Sequence, residues 1–144
     1  MTASAAPELQ ASLVELLDLA LQGKQAHWNV VGPLFRPVHL ELDEIVESAH
    51  AAVDTVAERL SALREVPDGR VATVAATTPL EPFPAGTVAD RDAARLIGSR
   101  IDVLNTHLRE RIERLGVDPV SQGILIGIEE IFEKHAWMLR VQVS

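Results

Sequence analysis

The chain has 144 residues, a formal net charge of −8 and no cysteine. A chain of this length can bury a core of its own, and we expect residues 1–144 to form a single domain. The absence of cysteine excludes disulfides, thiol nucleophiles and thiolate metal sites, so any metal must be bound by His, Asp or Glu. The excess of 21 acidic over 13 basic residues argues against a phosphate-binding surface.

Two features of the sequence bear on localisation. No stretch approaches the roughly 20 apolar residues of a membrane-spanning helix. The first ten residues, "MTASAAPELQ", lack the basic and hydrophobic regions of a secretory signal. These features predict a cytoplasmic protein.

Apolar residues at helical spacing predict four long helices and no strand. The helices are expected at about 8–31, 35–65, 87–115 and 118–142, with a short extra helix at "RVATVAAT" in the segment 70–86. This pattern indicates an all-α four-helix bundle. Because the segment between the second and third helices is long enough to cross the bundle, a ferritin-like topology is favoured over an up-down one.

Several residues predict where the helices begin and end. The Gly32-Pro33 pair should end the first helix. Thr87 and Asp90 resemble a capping box at the start of the third helix. Asp118 is suited to be the N-cap of the last helix.

The second helix carries an unusual stripe of polar residues. At 100° per residue, six groups able to bind metal fall within one narrow arc. They are His39, Asp43, Glu47, His50, Asp54 and Glu58. A surface helix usually spreads its charges and a core stripe is usually apolar, so this stripe indicates metal binding or an interface.

The spacing within the stripe points to a site shared between two chains. His39 and Asp43 lie one turn apart, as do Asp54 and Glu58, but the two pairs are roughly 16 Å apart along the helix. The pairs are equidistant from the midpoint between residues 48 and 49. Two copies of the helix packed antiparallel about a twofold axis there would bring each pair against its complement, which predicts two symmetric metal sites per dimer.

Near the predicted axis, Ser48, Ala49, Ala51 and Ala52 are small and would let two helices approach closely. Glu47 would face His50 of the second copy and form a charge-assisted hydrogen bond with it. Glu47 and His50 also form the ExxH pattern of di-iron bundles. That alternative lacks a second ExxH motif in this chain, so an ion pair is the preferred interpretation.

His27 completes the predicted half-site. An antiparallel hairpin places the end of the first helix beside the start of the second, where His27 can join His39 and Asp43. Two imidazoles with several carboxylates suit Fe(II) and its oxidised form. Trp28 could pack over the site. Alternatively, His27 is a satisfied helix-end histidine and the acids form a solvated face; His107 and His135 are interpreted as structural.

The segments "KQAHWNVVGPLFRPVHLELDEI", "AVDTVAERL" and "FEKHAWMLR" resemble the Dps family, the DNA-protection-during-starvation mini-ferritins. The resemblance implies a hollow dodecamer with ferroxidase centres shared between twofold-related subunits. It implies that such centres bind Fe(II), two irons each, and use hydrogen peroxide in preference to dioxygen to deposit ferric oxide. By position, the ligands would be His27, His39 and Asp43 of one chain with Asp54 and Glu58 of the other. Trp28 has no single implied role, since it would either intercept oxidising equivalents or pack at the interface.

One further expectation and two alternative functions remain. Many family members bind DNA through a lysine-rich tail, and this acidic chain is expected not to bind DNA. The alternatives to an iron-oxidising cage are a cage that binds zinc or another divalent ion without turnover, and a non-catalytic helical assembly. In that last case the acidic stripe would be a seam of salt bridges between subunits.

Overall fold

The computed structural model describes residues 4–144, so residues 1–3 of the predicted domain lie outside the described residues. Over this part of the chain there are five helices. They are α1 (Ala6–Asn29), α2 (Phe35–Ala62), α3 (Val71–Thr77), α4 (Asp90–Arg114) and α5 (Pro119–Gln142). The predicted all-α, ferritin-like four-helix bundle is confirmed, as is the short extra helix, α3, between the second and third long helices. No helix among residues 4–144 is long and apolar enough to cross a membrane.

The helices pack as two hairpins. α1 packs mainly on α2 and α4 mainly on α5, and the hairpins join through α1 with α4 and through α2 with α5. The connection that carries α3 must therefore cross the bundle. Leucine and isoleucine side chains of all four long helices, together with Phe132, form a core that excludes water almost completely. Each fully buried side chain of this size contributes about 1.5–3 kcal/mol.

The prediction that the chain contains no strand was wrong at one point. Two short strands, β1 (Val30–Val31) and β2 (Val88–Ala89), pair in parallel, with Val30 opposite Val88. A two-residue strand is too short to give an alternating sequence pattern. The pairing also ends α1 at Asn29, two residues earlier than predicted.

The predicted capping box at the start of α4 was also wrong. Ala89 is the N-cap residue and no side chain caps the helix there. The Asp90 carboxylate instead accepts hydrogen bonds from the backbone N–H groups of Leu34 and Arg91. At the start of α5 the prediction is confirmed, because Asp118 accepts a hydrogen bond from the Ser121 N–H.

A buried arginine holds the crossing connection in place. Arg100 of α4 is 7% exposed. Its Nε donates to Gln22 Oε1 on α1 at 2.7 Å, and its Nη2 donates to the carbonyl oxygens of Glu81 and Pro82. One guanidinium thus ties two helices to the connection without a carboxylate partner among the described residues.

Replacing Arg100 with methionine is expected to destabilise each chain by about 2–4 kcal/mol, because the buried Oε1 of Gln22 loses its donor and the connection at Glu81 and Pro82 loses the guanidinium that holds it. Urea unfolding followed by circular dichroism, at one fixed chain concentration, measures the effect. Arg95→Met is the control, because Arg95 is mostly exposed and bonds within its own helix. Equal effects of the two substitutions would contradict the role given to Arg100.

Candidate metal centre

The end of the α1–α2 hairpin brings His27 and His39 into direct contact. Their rings stack with centroids 3.7 Å apart and planes 11° apart. The Nδ1 of each ring lies 2.7 Å from the backbone carbonyl oxygen of the other residue. The hairpin therefore places both histidines where the sequence predicted them and holds each ring by a reciprocal bond.

These reciprocal bonds determine which nitrogen of each ring is free. A carbonyl oxygen can only accept a hydrogen bond, so the Nδ1 of His27 and of His39 must carry the proton. In the neutral rings, Nε2 then holds the lone pair. Metal-binding histidines are commonly oriented in this way by a carbonyl partner, so the pair fits a site for a metal cation.

Asp43 stands beside the two rings, one turn after His39 on α2. Its Oδ1 lies 3.9 Å from the Nε2 of His27. The same oxygen accepts a hydrogen bond from the Lys24 ammonium at 2.5 Å. This hydrogen bond lowers the pKa of Asp43 below its ordinary value, and the neighbouring His27 and His39 act in the same direction. The carboxylate is therefore ionised over a wide pH range and able to bind a cation.

Two residues that lie at this site, Lys24 and Phe35, were not predicted from the sequence to belong to it. Lys24 lies three residues before His27, a spacing that puts both on one face of α1. Phe35, at the start of α2, stacks on His39 with ring centroids 4.8 Å apart. The helical spacing could have identified Lys24, whereas the position of Phe35 depends on the geometry of the turn.

The predicted cover by Trp28 is not formed within one chain. The Trp28 side chain is 68% exposed, and Phe35 covers His39 instead. Trp28 and His50 line an apolar groove of about 560 Å³ between α1 and α3. Leu21 and Val71, both exposed, line the same groove.

The other half of the predicted ligand set lies apart from this cluster. Asp54 and Glu58 are exposed further along α2, as are Glu47 and His50. Over residues 4–144, no three His, Asp or Glu side chains are arranged to hold a metal ion by themselves. A single chain therefore holds His27, His39 and Asp43 near one another without forming a complete metal site, and Asp54 and Glu58 lie further along α2.

The small residues near the predicted axis do not all face outward. Ala49 is fully buried and Ala52 is 6% exposed, so both belong to the chain's own core. Ser48 lies 2.8 Å from the Nε2 of His135 on α5. Only Ala51 of this group is exposed. The expectation that all four would line a contact between two copies of α2 was wrong, because the core face of α2 runs directly beside the polar stripe.

His107 and His135 both link helices within the bundle. The Nδ1 of His107 lies 2.8 Å from Oε2 of Glu15, a carboxylate of α1 that is fully buried. The Nδ1 of His135 lies 3.2 Å from Oε1 of Glu41 on α2. These contacts support the interpretation of the two histidines as structural.

Replacing Lys24 with methionine is expected to raise the affinity of the half-site for Co(II) or Fe(II) by on the order of tenfold, because the ammonium no longer competes for Oδ1 of Asp43. Anaerobic titration with Co(II), followed by visible absorbance, measures the affinity. Lys134→Met removes the same charge from an exposed position on α5 and serves as the control. An unchanged or weaker affinity in Lys24→Met alone would contradict competition by Lys24.

Comparison with known proteins places this chain in a family. A model of the ferritin-like domain matches residues 7–144. DNA protection during starvation protein 2 of Deinococcus radiodurans is 34% identical over 92% of the chain, and the chain spans 55% of the length of that relative. The DNA protection during starvation protein of Agrobacterium fabrum is 31% identical, covering 94% of the chain and 85% of the relative.

A solved structure agrees with these relatives. The structure of Dps from Microbacterium arborescens in the high iron form superposes with a TM-score of 0.90 at 38% identity. It covers 94% of this chain, which in turn covers 89% of that one. Family model, relatives and structure thus agree with the resemblance carried by the histidine-containing motifs, and the chain belongs to the Dps family of ferritin-like proteins.

Proposed function

We propose that the protein oxidises Fe(II), stores the product as ferric oxide in a hollow homododecamer, and so protects the cell against oxidative damage. The observation that carries the proposal is the reciprocal bonding of His27 and His39, which leaves the Nε2 lone pair of both rings free, with that of His27 3.9 Å from the Asp43 carboxylate. Membership of the Dps family supports it, as does a relative whose structure was solved in a high iron form. In this proposal residues 1–144 act as one ferritin-like domain.

We propose that the iron site is completed by a second chain. His27, His39 and Asp43 would bind iron together with Asp54 and Glu58 of the partner subunit. Two observations support this arrangement. Asp54 and Glu58 lie on the polar stripe of α2 and are exposed in the single chain, so they are free to meet a second chain. The groove lined by Trp28 is apolar, and no part of residues 4–144 covers it. An antiparallel pairing of two α2 helices would bring the acids of one chain to the histidines of the other.

The chemistry proposed for this site needs two electrons. Two Fe(II) ions supply the two electrons that reduce one hydrogen peroxide to water, and hydrolysis of the two Fe(III) ions then gives ferric oxyhydroxide and releases protons. Using both electrons together avoids the hydroxyl radical that a one-electron reduction would form. Imidazole and carboxylate ligands suit both Fe(II) and Fe(III). Peroxide is the proposed oxidant, with dioxygen as a slower substitute.

A second candidate function is a cage that binds Zn(II) or another divalent ion without turnover, since imidazole and carboxylate ligands also suit zinc. Anaerobic Fe(II) titration followed by hydrogen peroxide separates the two. We expect saturable Fe(II) binding and rapid growth of ferric absorbance on addition of peroxide. Zn(II) binding at the same site, with no ferric absorbance from bound Fe(II), would favour the second candidate. Absence of binding by either ion would favour a non-catalytic assembly.

The protein is expected not to bind DNA at physiological salt. The net charge of −8 is multiplied twelvefold in the proposed dodecamer, and a polyanion is repelled unless basic residues are clustered. An electrophoretic mobility shift with duplex DNA at about 150 mM salt measures this. A variant with a lysine-rich N-terminal extension is the positive control. A salt-sensitive shift by the unmodified protein would contradict the expectation, even though its relatives are named for DNA protection.

A further inference from the structure

The loop that joins the two histidines is fastened to a distant part of the chain. Between His27 and His39 the backbone forms β1, which pairs with β2 immediately before α4. The first residue of α4, Asp90, is 6% exposed. Its Oδ2 accepts the Leu34 N–H at 2.6 Å, and its Oδ1 accepts the Arg91 N–H at 2.7 Å.

Gly32 shows how closely the loop approaches this carboxylate. Gly32 has a φ of 123°, a backbone conformation that only glycine adopts readily. A Cβ added there would lie 2.5 Å from the Oδ2 of Asp90, well inside van der Waals contact. The carboxylate therefore occupies the space that a side chain at position 32 would need.

Asp90 also stabilises the start of α2, the helix that carries His39. Leu34 is the N-cap residue of α2 and has no side chain that can cap the helix. The Asp90 carboxylate accepts a hydrogen bond from the Leu34 N–H. It also places a negative charge near the first turn of α2, where the helix dipole favours it. The beginning of α2 is thus set by a residue from α4.

From this geometry we propose that Asp90 is a positioning residue for the metal centre. The two bonds between His27 and His39 form only if the backbones of α1 and α2 keep one register across the turn. Asp90 holds that register by binding Leu34, five residues before His39, while the β1–β2 pairing holds the residues directly after α1. The inference rests on the proposed function, because it assumes that the Nε2 atoms of His27 and His39 bind metal.

The test is Co(II) binding by the assembled, metal-free protein under anaerobic conditions, followed by the visible absorbance of Co(II). Asp90→Ala is expected to weaken binding by about tenfold, the lower end of the effect of losing a direct partner of a metal ligand, because Asp90 acts on the two histidines only through the backbone at Leu34. It is also expected to change the Co(II) spectrum at saturation. Asp90→Asn, which retains one oxygen acceptor, is expected to fall between Asp90→Ala and the unchanged protein.

Asp92→Ala is the control for Asp90. It removes the same charge from the same turn of α4, but Asp92 is exposed and pairs with Arg95. Its Co(II) affinity and spectrum are expected to equal those of the unchanged protein. A merely structural role of Asp90 would lower the unfolding midpoint and leave the spectrum of the saturated site as it was, so the spectrum distinguishes the two roles.

Gly32→Ala provides a second, independent variant. Alone it should weaken Co(II) binding, because the new Cβ meets the Asp90 carboxylate. Combined with Asp90→Ala it should add less than it does alone, because part of the obstacle is gone. If Asp90→Ala does not fold, Asp90→Asn and Gly32→Ala decide the question.

Wild-type affinity and an unchanged spectrum in folded Asp90→Ala would overturn the positioning role. If His39→Ala abolishes Co(II) binding in the same series, the proposed function survives that result. Co(II) binding that persists in His39→Ala would instead contradict the proposed metal centre itself, and with it the positioning role of Asp90.

Discussion

Replacing His39 with alanine is expected to slow peroxide-dependent Fe(II) oxidation by more than about 100-fold, since even outer partners of metal ligands change metal affinity by 10–100-fold. The substitution removes one Nε2 ligand directly. It also removes the Nδ1–H that bonds to the carbonyl of His27 and the ring that stacks on it. His27 would then lose the contacts that orient its own Nε2.

The measurement is the initial rate of ferric absorbance after hydrogen peroxide is added to anaerobically loaded protein. His107→Gln is the control, because it removes an imidazole far from the site and keeps a donor for the buried Glu15. Circular dichroism and size-exclusion chromatography establish that each variant is folded and assembled. Oxidation at the normal rate by assembled His39→Ala would exclude the proposed site, whereas an equal loss in His107→Gln would indicate a general structural effect.

Most of the fold could be predicted from the sequence because the helices are long and their apolar spacing is regular. α2 illustrates this: its core face and its polar stripe each run over more than about five turns, so an error of a few residues at either end does not move either face. The meeting of His27 with His39 was also predictable, since two helices joined by a short turn must place those ends side by side. The predicted bundle topology and the family resemblance are confirmed as well.

The features that were missed depend on contacts between residues far apart in sequence. Asp90 looked like part of a local capping box, yet its carboxylate binds Leu34, 56 positions away. β1 and β2 are only two residues each and form because the turn after α1 meets the start of α4. Ala49 and Ala52 lie on α2 next to the polar stripe, and only the packing of the other helices against α2 decides that they face the core.

Lys24 changes the charge at the site in a way that the sequence motif does not show. In the single chain its ammonium occupies Oδ1 of Asp43, the oxygen closest to the Nε2 of His27. A cation that enters the site must therefore compete with a charge already present, and about a third of the Lys24 side chain is open to water. Before a cation enters, the positive charge of Lys24 offsets the negative charge of the Asp43 carboxylate.

Mixing subunits of two inactive variants is expected to restore activity if the site is shared. Assemblies of His39→Ala alone and of Asp54→Ala alone should each be nearly inactive. In a mixed pair, one of the two sites takes its histidines from the Asp54→Ala chain and its acids from the His39→Ala chain, so that site is intact. With random pairing, about one quarter of the wild-type number of sites should be restored.

The experiment uses chains denatured, combined in equal amounts and refolded, with native mass spectrometry to establish mixing and ferric absorbance to count active sites. Mixing wild type with the His39→Ala, Asp54→Ala double variant is the matched control. Shared sites would leave about one quarter of the wild-type activity in that mixture, because every mixed pair has two broken sites, whereas sites within one chain would leave about one half. No recovery from the two single variants, together with one half in the control, would place the whole site in one chain and exclude the antiparallel pairing of α2.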